Sequence, residues 1–139
     1  DRDEDLRRRW TRLQTIPGVG EASGLAILGE LACLPATLDA RQWVAHSGLD
    51  PRQHTSGTSV ERTPRISRAG NRRLRAALFM PALVAVQHDL HLRAFYQRLV
   101  ARGKAKLQAL TAVMRKLLHA MFAMFRHNQD YDGVKLCAA

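Results

Sequence analysis

The sequence has no run of about 18 apolar residues, so no segment reads as a membrane-spanning helix. Its start, DRDEDLRRRW, is charged from the first residue and has no apolar core of a secretory signal. It also lacks an initiator methionine and opens inside a helix-like pattern, which reads as a piece of a longer protein. Only two cysteines occur, Cys33 and Cys137. They fit neither a disulfide framework nor a metal-ligand spacing, and a reducing, cytosolic setting is the simple reading. Acids are scarce: 12 Asp and Glu face 22 Lys and Arg, a net charge of +10. Apart from Asp1, Asp3, Glu4 and Asp5 they are scattered, so the chain offers no carboxylate cluster for a two-metal site.

What is present is a mainly α pattern of single-domain length, with enough apolar residues (46%) to build a core. Residues 1–14 read as the end of a helical, coiled-coil-like linker, acids first and arginines after, an order that suits the helix dipole. Residues 15–127 form the main domain and 128–139 a loose tail. Apolar Ala22, Leu25, Ala26, Leu28 and Leu31 predict a helix over 21–34 with one buried stripe. Asp39 is placed to cap a short helix through His46, and "SGLDP" (47–51) is a turn cluster. Residues 52–66 lack helical period and read as an extended loop or small hairpin. Ser67 is placed to cap the next helix, which runs to about His88 with Pro81 in its interior. A helix over 92–102 follows. After Gly103, residues from Leu107 to Phe125 recur at helical spacing.

Two stretches carry candidate chemistry. In "LQTIPGVGEASGLAILGEL", Pro-Gly-apolar-Gly between helical segments matches a helix-hairpin-helix over 13–34. There Gly18 and Gly20 would free the backbone to turn N–H groups toward a phosphate. The plain alternative is a connector between packed helices. In "SGTSVERTPRISRAGNRRLR", the span from Arg52 to Arg75 holds seven arginines and one glutamate, a net +6. Arginine forks grip phosphate oxygens in pairs. Arg52, Arg65, Arg68, Arg72 and Arg75, with Asn71, are the candidate nucleic-acid contacts. On a helix starting near Ala69, Arg68, Arg72 and Arg75 would share a face. Ser56, beside Gly57 and two residues from His54, is a candidate nucleophile if a base takes its proton. A Ser-Gly turn is its bland alternative. His88 and His91 sit at i, i+3 without a third ligand and carry no metal assignment. Ser47, Ser59 and Ser67 are the rival serines.

Four stretches in order resemble one family: "IPGVGEASGLAILGEL", "RQWVAHSGLDPRQHTSG", "ISRAGNRRLRAAL" and "RGKAKLQALTAVMRKLLHAMFAMF". Together they are similar to the C-terminal half of RuvC-like (DEDD) insertion-sequence transposases. That family is related to the Piv DNA invertases and includes bridge-RNA-guided recombinases. The resemblance spans about Leu13 to Asp132. It implies an enzyme of DNA transposition in which a serine nucleophile, here Ser56, forms a phosphoserine link to DNA. It further implies that magnesium and the catalytic acids belong to an N-terminal RuvC-like domain absent from these residues, with no cofactor in this chain. The implied partners are DNA, that domain, a guide RNA in some members, and further copies of the protein in the active complex. The implied setting is the bacterial cytoplasm, at the nucleoid. Alone, such a piece would be inert. Where the family pattern has Ser-Ser-Gly this chain has Thr55-Ser56-Gly57, and Ile66-Ser67-Arg68 replaces Ile-Ser-Lys. Without the resemblance, a non-catalytic DNA- or RNA-binding module with Ser56 in a turn would account for the same residues, whereas a helical dimerisation domain would leave the arginine clustering at 52–75 unexplained.

Overall fold

The fold is taken from a computed structural model that describes residues 1–49, 51–52, 65–66 and 71–136. Helix α1 (Arg2–Leu13) starts under the Asp1 carboxylate, which accepts from the Asp3 amide. A turn over 14–20 leads into α2 (Glu21–Ala32). The next helix, α3 (Ala40–Ser47), begins with a capping box: Asp39 accepts from the Gln42 amide, and the Gln42 side chain accepts from the Asp39 amide. Gly48, at φ +73°, ends it in the left-handed region. Two two-residue strands, β1 (Pro51–Arg52) and β2 (Arg65–Ile66), pair antiparallel, Pro51 with Ile66 and Arg52 with Arg65. Helices α4 (Arg72–His88), α5 (Leu90–Ala101), α6 (Lys106–His127) and the short α7 (Gly133–Leu136) complete the chain.

The long α6 is the spine, touching α1, α3, α4, α5 and α7, while α4 packs between α2, α5 and α6. The core these faces share holds Leu13, Ile16, Ile27, Leu31, Leu78, Leu92, Leu117 and Met121, all essentially sealed from solvent. Trp43 of α3 meets Phe122 of α6 edge-on, ring centres 5.1 Å apart. Burial of this kind supplies most of a small domain's stability.

Four sequence expectations shift. The buried stripe of α2 is Gly24, Ile27, Leu28 and Leu31, whereas Ala22, Leu25 and Ala26 face outward, with Leu25 59% exposed. Gly24 nests against Trp10 and Gln14 of α1, which rotates the contact face away from Leu25. The cap of α4 is Asn71, so the helix starts at Arg72 and not near Ala69; Ser67 lies outside the described residues. Leu107, expected in the apolar stripe of the last long helix, is 65% exposed. The chain after Asn128 is packed through Leu136 rather than loose. Asn128 closes α6 at φ +51°, the Tyr131 amide donates to Thr15 Oγ1, and the Tyr131 hydroxyl donates to buried Asp89. Arg12 also pairs with Asp130 and reaches Asn128. Helix α4 passes through Pro81 as one element.

The two glycines of the first turn differ. Gly18 has φ +104°, and a Cβ there would lie 2.7 Å from the Pro81 carbonyl oxygen and 3.0 Å from the Ala85 amide nitrogen of α4. Gly20 has φ −90° and open space where a Cβ would stand. Gly18→Ala should therefore cost about 2 kcal/mol or more, from positive φ and backbone crowding together. Gly20→Ala should cost less than about 1 kcal/mol. Urea unfolding of the two variants checks this, and equal losses would refute the packing argument.

Candidate nucleic-acid interface

The chain enters and leaves residues 50–70 at one place. On the entry side, Arg75 Nη1 donates to the Ser47 carbonyl at 3.4 Å and Arg115 Nη1 to the Leu49 carbonyl at 3.0 Å. On the exit side, the Asn71 amide donates to the His46 carbonyl. The β1–β2 pairing joins the ends again between these points. So α3, α4 and α6 hold both ends of the segment that contains Ser56 together, beside the first turn of α4. Ser56 itself and Arg68 lie outside the described residues, as do His54, Ser59 and the side chains of Arg52 and Arg65.

That first turn is built against its own electrostatics. A helix N-terminus carries partial positive charge and favours acids. Helix α1 obeys, with Asp3, Glu4 and Asp5 in its first turn. Helix α4 has no acid there and opens with Arg72, Arg73 and, one turn in, Arg75. Arg72 and Arg73 are exposed and Arg75 is half-buried. Cations placed where the backbone disfavours them cost the fold stability, which makes this turn the candidate contact for an anion.

Asn71 has a different task from the one its sequence position suggests. Its Oδ1 accepts from the Arg73 and Leu74 amides, and its Nδ2 donates to Glu30 Oε2 at 2.6 Å. Both ends of its amide are engaged within the fold, so it positions the arginines that follow it. Glu30 of α2 was not singled out in the sequence; its place in the last turn of that helix gave no signal.

Gly18 and Gly20 stand apart from the arginines. Gly18 packs on α4 at Pro81, nine residues beyond Arg72, about 14 Å along the helix axis. The exposed first-turn amides of α2 follow Gly20. The structure thus brings Asn71, Arg72 and Arg75 together at the start of α4, and leaves the glycine turn as a second locus on the same helix.

Other candidates fall away. Ser47 is fully buried, its hydroxyl donating to the Val44 carbonyl at 2.7 Å, which rules it out as a nucleophile. Among the described residues no three His, Cys, Asp or Glu side chains gather to hold a metal ion, and no helix is long and apolar enough to cross a membrane. Lys116 lies over the Phe95 ring at 4.5 Å. Partial desolvation, then the charges of Lys116 and Arg115, hold His119 below the ordinary histidine range.

A mainly helical domain that clamps a basic segment at the arginine end of one helix is the class of protein the geometry defines. The chain belongs to the transposase family IS116/IS110/IS902, whose model matches residues 10–97. It is 35% identical over 129 residues to the pilin gene-inverting protein of Moraxella bovis, covering 92% of this chain and 40% of that protein. It is 34% identical over 133 residues to an IS110 insertion-element protein of Streptomyces coelicolor, covering 91% and 32%. Against the transposase for insertion element IS1111A of Coxiella burnetii the identity is 31% over 128 residues, covering 86% and 34%. The chain therefore spans about a third to two fifths of these relatives' length.

Arg72→Glu should raise stability by roughly 0.5 kcal/mol, because it places an acid in the first turn and relieves repulsion from Arg73 and Arg75. Asn71→Ala should lower it by about 1–2 kcal/mol through loss of the cap. Thermal unfolding at low salt reads both, and a destabilised Arg72→Glu would show that the arginine serves the fold.

Proposed function

We propose that this chain is the DNA-handling and serine-bearing part of a transposase that acts in DNA recombination. The observation that carries the reading is the arginine-rich first turn of α4, set against its dipole beside the joined ends of the segment holding Ser56. Family membership supports it, as do relatives named for gene inversion and for transposition.

On this reading the Ser56 hydroxyl attacks a DNA phosphorus. An Oγ–P bond forms as the bond from phosphorus to the departing strand's sugar oxygen breaks, and the hydroxyl proton passes to a base while the departing oxygen gains one. His54 is the nearest imidazole in sequence. Arg72 and Arg75, with Arg52, Arg65 and Arg68, neutralise the phosphate as charge grows on its oxygens. Phosphoserine holds the strand until a second hydroxyl reverses the step. The turn over 14–20 acts as a helix-hairpin-helix, its Gly20-side amides taking a backbone phosphate.

The described residues do not fit a magnesium site, so no step here runs through a metal held by them. The RuvC-like domain that the resemblance implies would carry the acids and the ion, and a guide RNA and further copies would join it in the whole protein.

Two measurements test the proposal. The longer protein, incubated with magnesium and nicked donor DNA, should give a covalent adduct on denaturing gels that maps by peptide mass to Ser56. Ser56→Ala should lose it and keep its DNA affinity; recombination that proceeds in Ser56→Ala would overturn the nucleophile assignment. Arg72→Ala should weaken binding to every DNA sequence alike and reduce the slope of log affinity against log salt by about 1. An unchanged slope would remove Arg72 from the phosphate contacts.

A further inference from the structure

Beside the arginine turn, α4 and α6 leave an open groove of about 390 Å³, a volume within the range of small-ligand clefts. Its walls are Ala76, Phe79, Leu107 and Met114, and Arg72 and Arg75 stand at its rim. Leu49, the last described residue before the segment containing Ser56, also borders it. Phe79 and Leu107 remain 38% and 65% exposed. Spacing explains the alignment: Arg72, Arg75, Ala76 and Phe79 fall at i, i+3, i+4 and i+7, one face of a helix. No acid among the described residues lines the groove. Thr111, the one hydroxyl among the described residues of its wall, donates to the Leu107 carbonyl at 2.9 Å within its own helix.

This combination selects its occupant by chemistry. An apolar, aromatic wall with guanidinium groups at its edge suits a flat apolar body joined to an anion. A nucleotide is such a body, with its base on Phe79 and its phosphate toward the arginines. An apolar protein helix would need acidic flanks to meet the same rim. The hydroxyl of Thr111 donates within α6, so among the described residues the apolar wall between α4 and α6 offers no free side-chain donor to tell one base from another.

We infer that the α4–α6 groove receives one unpaired DNA base next to the phosphodiester to be cut, whatever its identity. The inference rests on the proposed function, because DNA that exchanges strands must open at the cut, and the groove adjoins the serine-bearing segment. Stacking of the base on Phe79 would hold the opened strand while its phosphate lies against Arg72 and Arg75.

Binding of the 139-residue chain carrying Ser56→Ala to three labelled DNA duplexes tests this by fluorescence anisotropy. One is fully paired, one carries a single unpaired nucleotide, and one carries an abasic residue at the same position. The base-bearing duplex should bind about tenfold more tightly than the abasic one, equally for all four bases. Phe79→Ala should erase that difference without changing affinity for the paired duplex, and Phe79→Trp should keep it. Because Phe79 is partly exposed, the alanine variant should fold, and circular dichroism confirms that it has. Equal affinity for base-bearing and abasic duplexes in the Ser56→Ala chain would overturn the groove assignment, as would a preference that survives Phe79→Ala. An RNA duplex showing the same Phe79-dependent gain would overturn the assignment to DNA. Failure of the groove is distinguishable from failure of the proposed function. A Ser56 adduct that forms normally beside an absent base preference sinks the groove alone, whereas no binding to any of the duplexes sinks both.

Discussion

Asn71 is the residue on which the basic end of the molecule depends. One side chain and one backbone amide join three helices: Oδ1 closes the first turn of α4, Nδ2 reaches Glu30 on α2, and the amide nitrogen meets the His46 carbonyl at the end of α3. Each bond satisfies a group that would otherwise sit half-buried without a partner, which is why such polar hubs are costly to lose and specific in what they fix. What Asn71 fixes is a direction. It sets where α4 begins, and so where Arg72 and Arg75 point, relative to the place where residues 50–70 leave the core.

The arginines need that support, since nothing local favours them there. Three cations within four residues at a helix N-terminus repel one another and oppose the dipole. The fold tolerates them because the cap and the buried Leu74 and Leu78 of the same helix supply compensating stability. Part of the charge is also given structural duty: Arg75 and Arg115 hold the Ser47 and Leu49 carbonyls, anchoring the chain just before the serine-bearing segment. Positive charge is thus the frame of this end of the molecule and, on the proposed reading, its working surface as well.

The helices were legible from the sequence because period and punctuation agreed. The Asp39 cap and, from Leu110 on, the long apolar repeat of α6 appear where they were read. What could not be read was which helix face meets which neighbour. Leu25 looked buried by period, yet the contact of Gly24 with α1 turns it outward, a tertiary choice with no local signal. Asn71 was legible as a neighbour of the arginines, but its bond to Glu30, 41 residues away in sequence, which gives it a structural role as well, was not. The chain after Asn128 looked loose by composition, while Thr15, Asp89 and Arg12 pin it from three separate elements. The groove was half legible, for Phe79 lies on the face of Arg72 and Arg75, but its α6 wall comes from a distant part of the chain.

Gly18 gives the fold a consequence for function that neither end of α4 has alone. Its missing side chain lets the first turn lie directly on the backbone of α4 at Pro81 and Ala85. A helix is stiff over this length, so the glycine turn and the arginine turn are held at a fixed separation of about 14 Å along it. On the proposed reading both meet DNA phosphates, and that separation matches about four base pairs of duplex rise at 3.4 Å each. A larger residue at position 18 would lift the turn from α4 and change the spacing even where each turn kept its own shape. The requirement for glycine there is then a requirement of distance: one helix sets how far the arginine turn stands from the glycine turn, and on the proposed reading how far apart the two phosphates they meet must lie.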